Sequence, residues 1–319
     1  MRVDVSEVKA YRECKRKHQF SSRNRFHLRP TIPNPNLEFG TQFHEVLAMM
    51  YMGTSIDKIL EWINVEVTDS VHWKVMDTMT KGYYENVYLK KDKDRYVVID
   101  IEKSFNYPVG AVDDNMFTMI DFQKDDKGVW WGVDAEGELH EAICICGSID
   151  MICIDVETGK LVGFEHKTAK NFRPEVYDLL DEQPRVYSWA LKKILEDYHK
   201  AGKYLEVKET GPIYLNQVKK LQTKFDYHRS ECSYAESDLR NFMHAFVKTV
   251  VQIADDGHAC NPDPGFMKCQ MCDFADLCMH YGYADIDKNE LLEEFEGEFE
   301  VRDCDHLDEK AQRHNTEAD

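Results

Sequence analysis

Asp150, Glu165 and Lys167 are the residues whose types and spacing point most directly to chemistry. Two carboxylates and an ammonium brought together by neighbouring strands make an oxygen-rich cage for a hard cation such as Mg²⁺ or Mn²⁺. The backbone carbonyl of His166, between Glu165 and Lys167, offers one more oxygen. An ammonium beside such an ion can orient a water or neutralise charge on a phosphate in the transition state. Charged strand residues more often simply face water, so the surrounding elements decide between the two readings.

The three residues fall on a predicted hairpin. Gly147–Asp155 and Lys160–Lys167 are β-branched and apolar, and Glu157-Thr158-Gly159 supplies the turn between them. Glu165 and Lys167 are two apart and share one face of their strand. Downstream, Gln183 and Tyr187 are four apart on a helix predicted over Glu175–Tyr198, with Pro184 suited to its first turn. Upstream, Gly40 to Lys91 reads as helical, with Phe43, Val46, Leu47 and Met50 at spacings of three and four. His44 stands one residue past an apolar position in that region and can face inward.

Gly147-x-x-Asp150, Glu165-x-Lys167, Gln183-x-x-x-Tyr187 and, upstream, Gly40-Thr41-x-x-His44 resemble the ordered motifs of the RecB-like branch of the PD-(D/E)xK nuclease superfamily. The resemblance covers residues 3–282. It implies an α/β fold, a restriction-endonuclease-like mixed sheet flanked by helices, with a helical insertion and an iron–sulfur cluster subdomain. It also implies that Asp150, Glu165 and His44 hold one or two Mg²⁺ or Mn²⁺ ions, with the His166 carbonyl as a further ligand. Lys167 would position the attacking water, and Gln183 and Tyr187 would support the site or touch the DNA backbone. Glu102 matches an acid on the preceding strand and is given a secondary role. His166 within Glu-x-Lys, an extra Cys260 and a long acidic tail depart from the pattern.

Cys269, Cys272 and Cys278 form a C-x2-C-x5-C run, whose first pair can grip a metal centre from one tight turn. Three thiolates need a fourth, for which Cys260 is the nearby candidate and Cys14 the remote one. The resemblance favours Cys14, because iron–sulfur members of the family close a 4Fe–4S cluster between the two ends of the chain. A four-cysteine Zn²⁺ site uses the same ligands and stands as the alternative. Cys144, Cys146 and Cys153 sit among isoleucines and are expected to be inert core thiols.

A net charge of −19 excludes a general nucleic-acid coat protein, since phosphate binding needs cations. The charge is uneven. Asp285–Asp319 carries 14 Asp and Glu against 4 Lys and Arg, whereas in Arg12–Arg29 Glu13 is the only acid. Arg12, Lys15 and Arg16, with Lys170 and Arg173 after the second catalytic strand, are candidate phosphate contacts. No apolar run approaches a membrane helix and the first residues lack a signal-peptide core, so an intracellular, cytoplasmic protein is expected. No phosphate-cradling loop is present, so unwinding would come from a helicase or another replication or recombination protein.

The expected division is an N-terminal segment at 1–39, a helical insertion at 40–95, a nuclease core at 96–258, a cluster subdomain at 259–284 and an acidic tail at 285–319. Further strands are predicted at Tyr96–Phe105, Met116–Phe122, Val129–Val133, Leu139–Cys146 and Gly211–Lys219, the last paired with Lys224–Tyr227. Helices are predicted over residues 5–20 and Leu239–Ile253. The implied function is a metal-dependent DNA exonuclease in replication, recombination or repair. A CRISPR-associated DNA-trimming nuclease is the alternative within that class. A non-catalytic DNA-binding scaffold is the alternative outside it, although a scaffold has no use for buried carboxylates that repel without a metal.

Overall fold

A computed structural model describes residues 1–32, 34–111, 121–133, 137–255 and 261–302. In chain order the elements are β1 (Arg2–Val3), α1 (Val5–Glu13), α2 (Lys15–Ser21), β2 (Leu28–Pro30), α3 (Pro35–Tyr51), α4 (Ile56–Glu66) and α5 (Ser70–Tyr83). A π-helical segment, Tyr84–Asp92, leads into β3 (Tyr96–Ala111), β4 (Asp121–Lys124), β5 (Trp130–Val133), β6 (Leu139–Asp155) and β7 (Lys160–Ala169). Then come α6 (Glu175–Leu180), α7 (Glu182–Lys200), β8 (Thr210–Lys219), β9 (Tyr227–Cys232) and α8 (Glu236–Asp255). The last described elements are α9 (Phe266–Gln270), α10 (Ala275–Tyr281), α11 (Lys288–Glu294) and β10 (Phe299–Val301). No helix among the described residues is long and apolar enough to cross a membrane.

The chain divides into two compact units, and the division falls inside β3, β6 and α8. One unit comprises Asn34–Ser104 and Ser148–Arg240. Its centre is a mixed sheet in the order β6-β7-β8-β9, antiparallel except for the parallel pair β7 and β8. Side chains alternate across this sheet. Met151, Cys153, Phe164, Tyr214 and Val218 meet Phe43, Leu47, Met50, Met76, Met79 and Tyr83 from α3 and α5, in a core that also takes in Ile59 and Ile63 of α4. α7 packs on β7 and β8. There a Cβ on Gly163 would stand 2.7 Å from Ile213 and 4.0 Å from Leu191, so the absence of a side chain lets these groups close up. The sheet is thus flanked by helices, as the sequence leads one to expect.

The other unit comprises Met1–Pro33, Phe105–Gly147 and Asn241–Gln312. It holds an antiparallel β4-β5-β6 ribbon, with β1 parallel to β6. Asp4 caps α1 reciprocally: its carboxylate accepts the Glu7 N–H at 2.9 Å, and Glu7 accepts the Asp4 N–H at 3.3 Å. The helix predicted over 5–20 is two helices, because Cys14 takes an extended conformation (φ −164°, ψ 117°) between them.

Up to Arg302 the acidic segment carries structure of its own. Leu291 and Phe299 are buried with Phe20, Leu28, Phe274 and Leu277, and β10 pairs antiparallel with β2. The few apolar residues among the acids are the ones that fold back, while the carboxylates stay in water. Asp303–Asp319, Cys260 and residues 116–120 of the predicted Met116–Phe122 strand lie outside the described residues. Elsewhere the boundaries move. α3 starts at Pro35 rather than Gly40, because Asn34 caps it and proline is tolerated in the first turn. The strand beside β8 is Tyr227–Cys232 rather than Lys224–Tyr227.

Candidate active site and cysteine centre

The β6–β7 ladder runs from Asp155↔Lys160 to Met151↔Phe164, and the site begins where it ends. Past that point Asp150 Oδ2 accepts the His166 N–H at 2.7 Å, so a carboxylate continues what the ladder began. His44, on α3, points its Nδ1 at Asp150 Oδ1 (3.6 Å) and Glu102 Oε1 (3.8 Å). Its Nε2 lies 2.9 Å from the His166 carbonyl oxygen. That contact requires a proton on Nε2, so Nδ1 is the nitrogen that faces the two carboxylates; it carries the second proton in metal-free protein and becomes a ligand when an ion displaces that proton.

Among the described residues, His44, Glu102 and Asp150 are the one trio of His, Cys, Asp or Glu whose ligand atoms all lie within 4.8 Å of one another. Glu102, given a secondary role in the sequence, therefore belongs with the leading carboxylates. It holds a left-handed φ of +50°, unusual for a residue with a side chain, and such strain concentrates at functional sites. Nothing in the sequence signals that conformation. The His166 carbonyl, expected as a ligand, lies 2.9 Å from His44 Nε2, which leaves its second lone pair for an ion.

Glu165 is 3% exposed, and its two oxygens differ. Oε1 accepts from Lys167 Nζ and from Gln183 Nε2 (2.8 Å), whereas buried Oε2 has no hydrogen-bond partner. Glu165 is not part of the close trio, but its charge acts on His44, and a buried orphan oxygen is the kind of vacancy a cation satisfies. Gln183 also accepts from Lys167 (3.1 Å) and donates to the Tyr187 hydroxyl (2.9 Å), so the i, i+4 pair on α7 braces the Glu165–Lys167 side of the site. Asp181 caps α7 by accepting the Gln183 N–H at 3.0 Å.

The electrostatics agree with the geometry. Burial opposes charge on His44, but Asp150 and then Glu102 outweigh it and push the imidazole up to about 9. Burial, then His44 and Arg229, hold His166 well below the usual range, so it is neutral. Burial lowers and Glu165 and Asp150 raise the Lys167 ammonium, with a net upward shift that keeps it charged. A field that raises a buried histidine this far also draws a divalent cation.

The proposed phosphate contacts separate into spent and available charges. Arg16 is 3% exposed and donates to the carbonyl oxygens of Gly282 (3.3 Å) and Ala284 (2.9 Å). It is a structural clamp, which corrects the expectation that it meets DNA. Arg12 donates to Thr249 (2.8 Å), and Lys15 lies over the Tyr11 ring. Arg173 pairs with Asp178 (3.0 Å) and Asp181 (3.2 Å), so its charge is already matched. Lys170 is exposed, one residue past the Ala169↔Lys219 pair that ends the parallel β7–β8 ladder, and Lys220 occupies the equivalent place on β8. Lys220 donates to Asn36 (3.1 Å), and burial followed by Lys170 lowers its proton affinity. Neither lysine is paired with a carboxylate among the described residues, and the sequence reading missed Lys220.

Cys14, Cys269, Cys272 and Cys278 line one cavity of the other unit. The Asp263 N–H donates to Cys14 Sγ at 3.4 Å and the Gly265 N–H to Cys269 Sγ at 3.5 Å. The break between α1 and α2 is what presents Cys14 there. Burial, then Cys14 and Cys272, push Cys278 up to about 11, and thiolates crowded this way are relieved by a metal centre. Cys144 and Cys153 are buried, and burial pushes the Cys144 thiol up to about 11, in line with inert core thiols.

Among curated proteins none matches the sequence. Solved structures that resemble it include a protein described as a candidate exonuclease from Eubacterium rectale, at 12% identity and a TM-score of 0.46, with 90% of this chain and 91% of that one covered. Another is SSO0001, at 11% identity and a TM-score of 0.32, covering 87% and 85%. The model of the PD-(D/E)XK nuclease superfamily matches residues 2–279, nearly the whole of the chain. With that match, the chain belongs to the PD-(D/E)XK nuclease superfamily.

Proposed function

We propose that the protein is a Mg²⁺- or Mn²⁺-dependent deoxyribonuclease, acting as an exonuclease in DNA replication, recombination or repair. The observation that carries this reading is the His44–Glu102–Asp150 trio, whose ligand atoms lie within 4.8 Å of one another, together with the buried, orphaned Oε2 of Glu165. His44 Nδ1, Asp150 and Glu102, with Glu165, would hold the ion. Bound there, a divalent metal would lower the pKa of a ligated water and neutralise charge gathering on the phosphate.

The chain's own groups account for the rest. Lys167, tethered by Glu165 and Gln183 and still 42% exposed at its side chain, reaches out of the site to hold the attacking water or a phosphate oxygen. Gln183 and Tyr187 keep Glu165 in place, so their loss would disorder the carboxylate before it touched the chemistry. Lys170 and Lys220 continue the positive charge beyond Lys167 along β7 and β8 and would take a neighbouring phosphate without reading bases.

Cys14, Cys269, Cys272 and Cys278 would hold a 4Fe–4S cluster. The same four thiols would serve a structural Zn²⁺, and metal analysis of anaerobically purified protein separates the two. The cluster would fasten the C-terminal cysteine run to Cys14 and so support the fold rather than the chemistry.

Digestion of end-labelled single- and double-stranded DNA with Mg²⁺, Mn²⁺ or EDTA tests the function. Metal-dependent loss of label that disappears in Asp150→Asn supports it, and the order in which 5′ and 3′ labels vanish gives the polarity. Degradation that survives EDTA or Asp150→Asn contradicts it. No cleavage by folded, metal-loaded protein would turn the reading to the non-catalytic DNA-binding scaffold.

A further inference from the structure

Behind His166 lies a closed ring of hydrogen bonds that the catalytic reading does not use. Asp92, the last residue of the π-helical segment, is fully buried and accepts from Nη1 and Nη2 of Arg229, at 2.9 and 2.7 Å. Arg229 Nε also donates to Asn216 Oδ1 at 2.7 Å, and the Tyr227 hydroxyl donates to the same oxygen at 2.9 Å. Asn216 Nδ2 contacts the Tyr83 hydroxyl and His166 Nδ1, each at 3.2 Å. Tyr83 and Tyr51 hydroxyls are 2.9 Å apart, and Tyr51 donates to Asp92 at 2.5 Å, which closes the ring.

The charges at one end fix every proton. Arg229 can only donate, so the Asn216 group facing it must be the oxygen, and its NH₂ must face Tyr83 and His166. Asp92 as a carboxylate takes the Tyr51 proton, so Tyr83 donates to Tyr51 and accepts from Asn216. All four hydrogen-bonding positions of Asn216 are then filled, and His166 Nδ1 is bound to be an acceptor. His166 is held as a neutral ring with its proton on Nε2. Rings linked head to tail in this way strengthen one another in a low-dielectric interior.

What this holds is the main chain of His166. Its N–H fixes Asp150 at 2.7 Å and its carbonyl fixes His44 at 2.9 Å, two of the residues that would ligate the ion. We propose that Asp92, Arg229 and Asn216 are positioning residues that lock the His166 ring in one orientation and tautomer, and through its peptide set the spacing of Asp150 and His44. The inference rests on the proposed metal site and on no property of the DNA.

Two readouts test it without cleavage. Ring ¹⁵N shifts of His166 in the metal-free protein should show one neutral species protonated on Nε2. Calorimetric Mn²⁺ binding should weaken about 10–100-fold in Asn216→Asp, which keeps the acceptor for Arg229 but cannot donate to His166, and in Asn216→Leu. Both variants should keep a cooperative thermal transition, and Arg229→Lys should restore less than half of the loss seen in Arg229→Met, because one ammonium cannot replace the three guanidinium contacts. A wild-type His166 whose neutral ring carries its proton on Nδ1 overturns the inference even if the variants fail to fold. Folded Asn216→Asp with wild-type Mn²⁺ affinity overturns it as well. Loss of DNA cleavage in the wild type, with these two results intact, would instead count against the nuclease reading alone.

Discussion

The proton on His44 offers a quantitative prediction. Its imidazole rises from an ordinary 6.5 to about 9 because Asp150 and Glu102 outweigh the cost of burial. A histidine shifted upward contributes stability that is fully present below 6.5 and lost as pH rises through about 9. At roughly 1.4 kcal/mol per pH unit, the shift is worth about 3 kcal/mol in metal-free protein. Denaturant unfolding in EDTA at pH 6, 7.5 and 9.5 should therefore show wild type losing about 3 kcal/mol more than His44→Asn across that span. Saturating Mn²⁺ should abolish the difference in slope, since the ion replaces the proton on Nδ1. Calorimetry in two buffers near pH 7 should register about one proton released per ion bound. Parallel pH slopes for wild type and His44→Asn would refute the reasoning, because the carboxylates would then not be acting on this ring.

Three further outcomes are expected. Burial and then Asp4 push Glu7 up to about 7, so its contribution is present below 4.5 and lost as pH rises through 7; Glu7→Gln should gain about 3 kcal/mol relative to wild type between pH 4.5 and pH 8.5, measured by urea unfolding. A Cβ on Gly147 would stand 2.7 Å from the Phe105 ring, so Gly147→Ala should cost about 1–3 kcal/mol in stability while Mn²⁺ affinity stays within a few fold. Cys14→Ser should lower the iron content of anaerobically purified protein well below wild type, whereas Cys260→Ser should leave it unchanged, as metal analysis would show.

Much of the site was legible because its signals are local. Gly147 to Lys167 carries its strands, its turn and the Glu165–Lys167 spacing in one run, and Gln183–Tyr187 needs only the helical period. What escaped depends on partners far away in the chain. Arg16 reads as one more charge in a basic stretch, yet its guanidinium caps carbonyls of Gly282 and Ala284. Glu102 reads as a strand acid, and only its left-handed φ and its approach to His44 raise its rank. Asp92 and Arg229 are separated by 137 residues and look like two ordinary surface charges until the fold buries them together. Leu291 and Phe299 likewise vanish among acids in sequence, although they are buried with Phe20 of α2 and Leu28 of β2 and the segment also pairs with β2.

The most direct test of the central claim separates metal binding from cleavage in Lys167→Ala. The ammonium touches Glu165 and Gln183 but sits outside the His44–Glu102–Asp150 trio. Mn²⁺ affinity should stay within a few fold of wild type, while metal-dependent DNA cleavage falls about 10²–10³-fold. Cleavage at the wild-type rate in metal-loaded Lys167→Ala would contradict that claim.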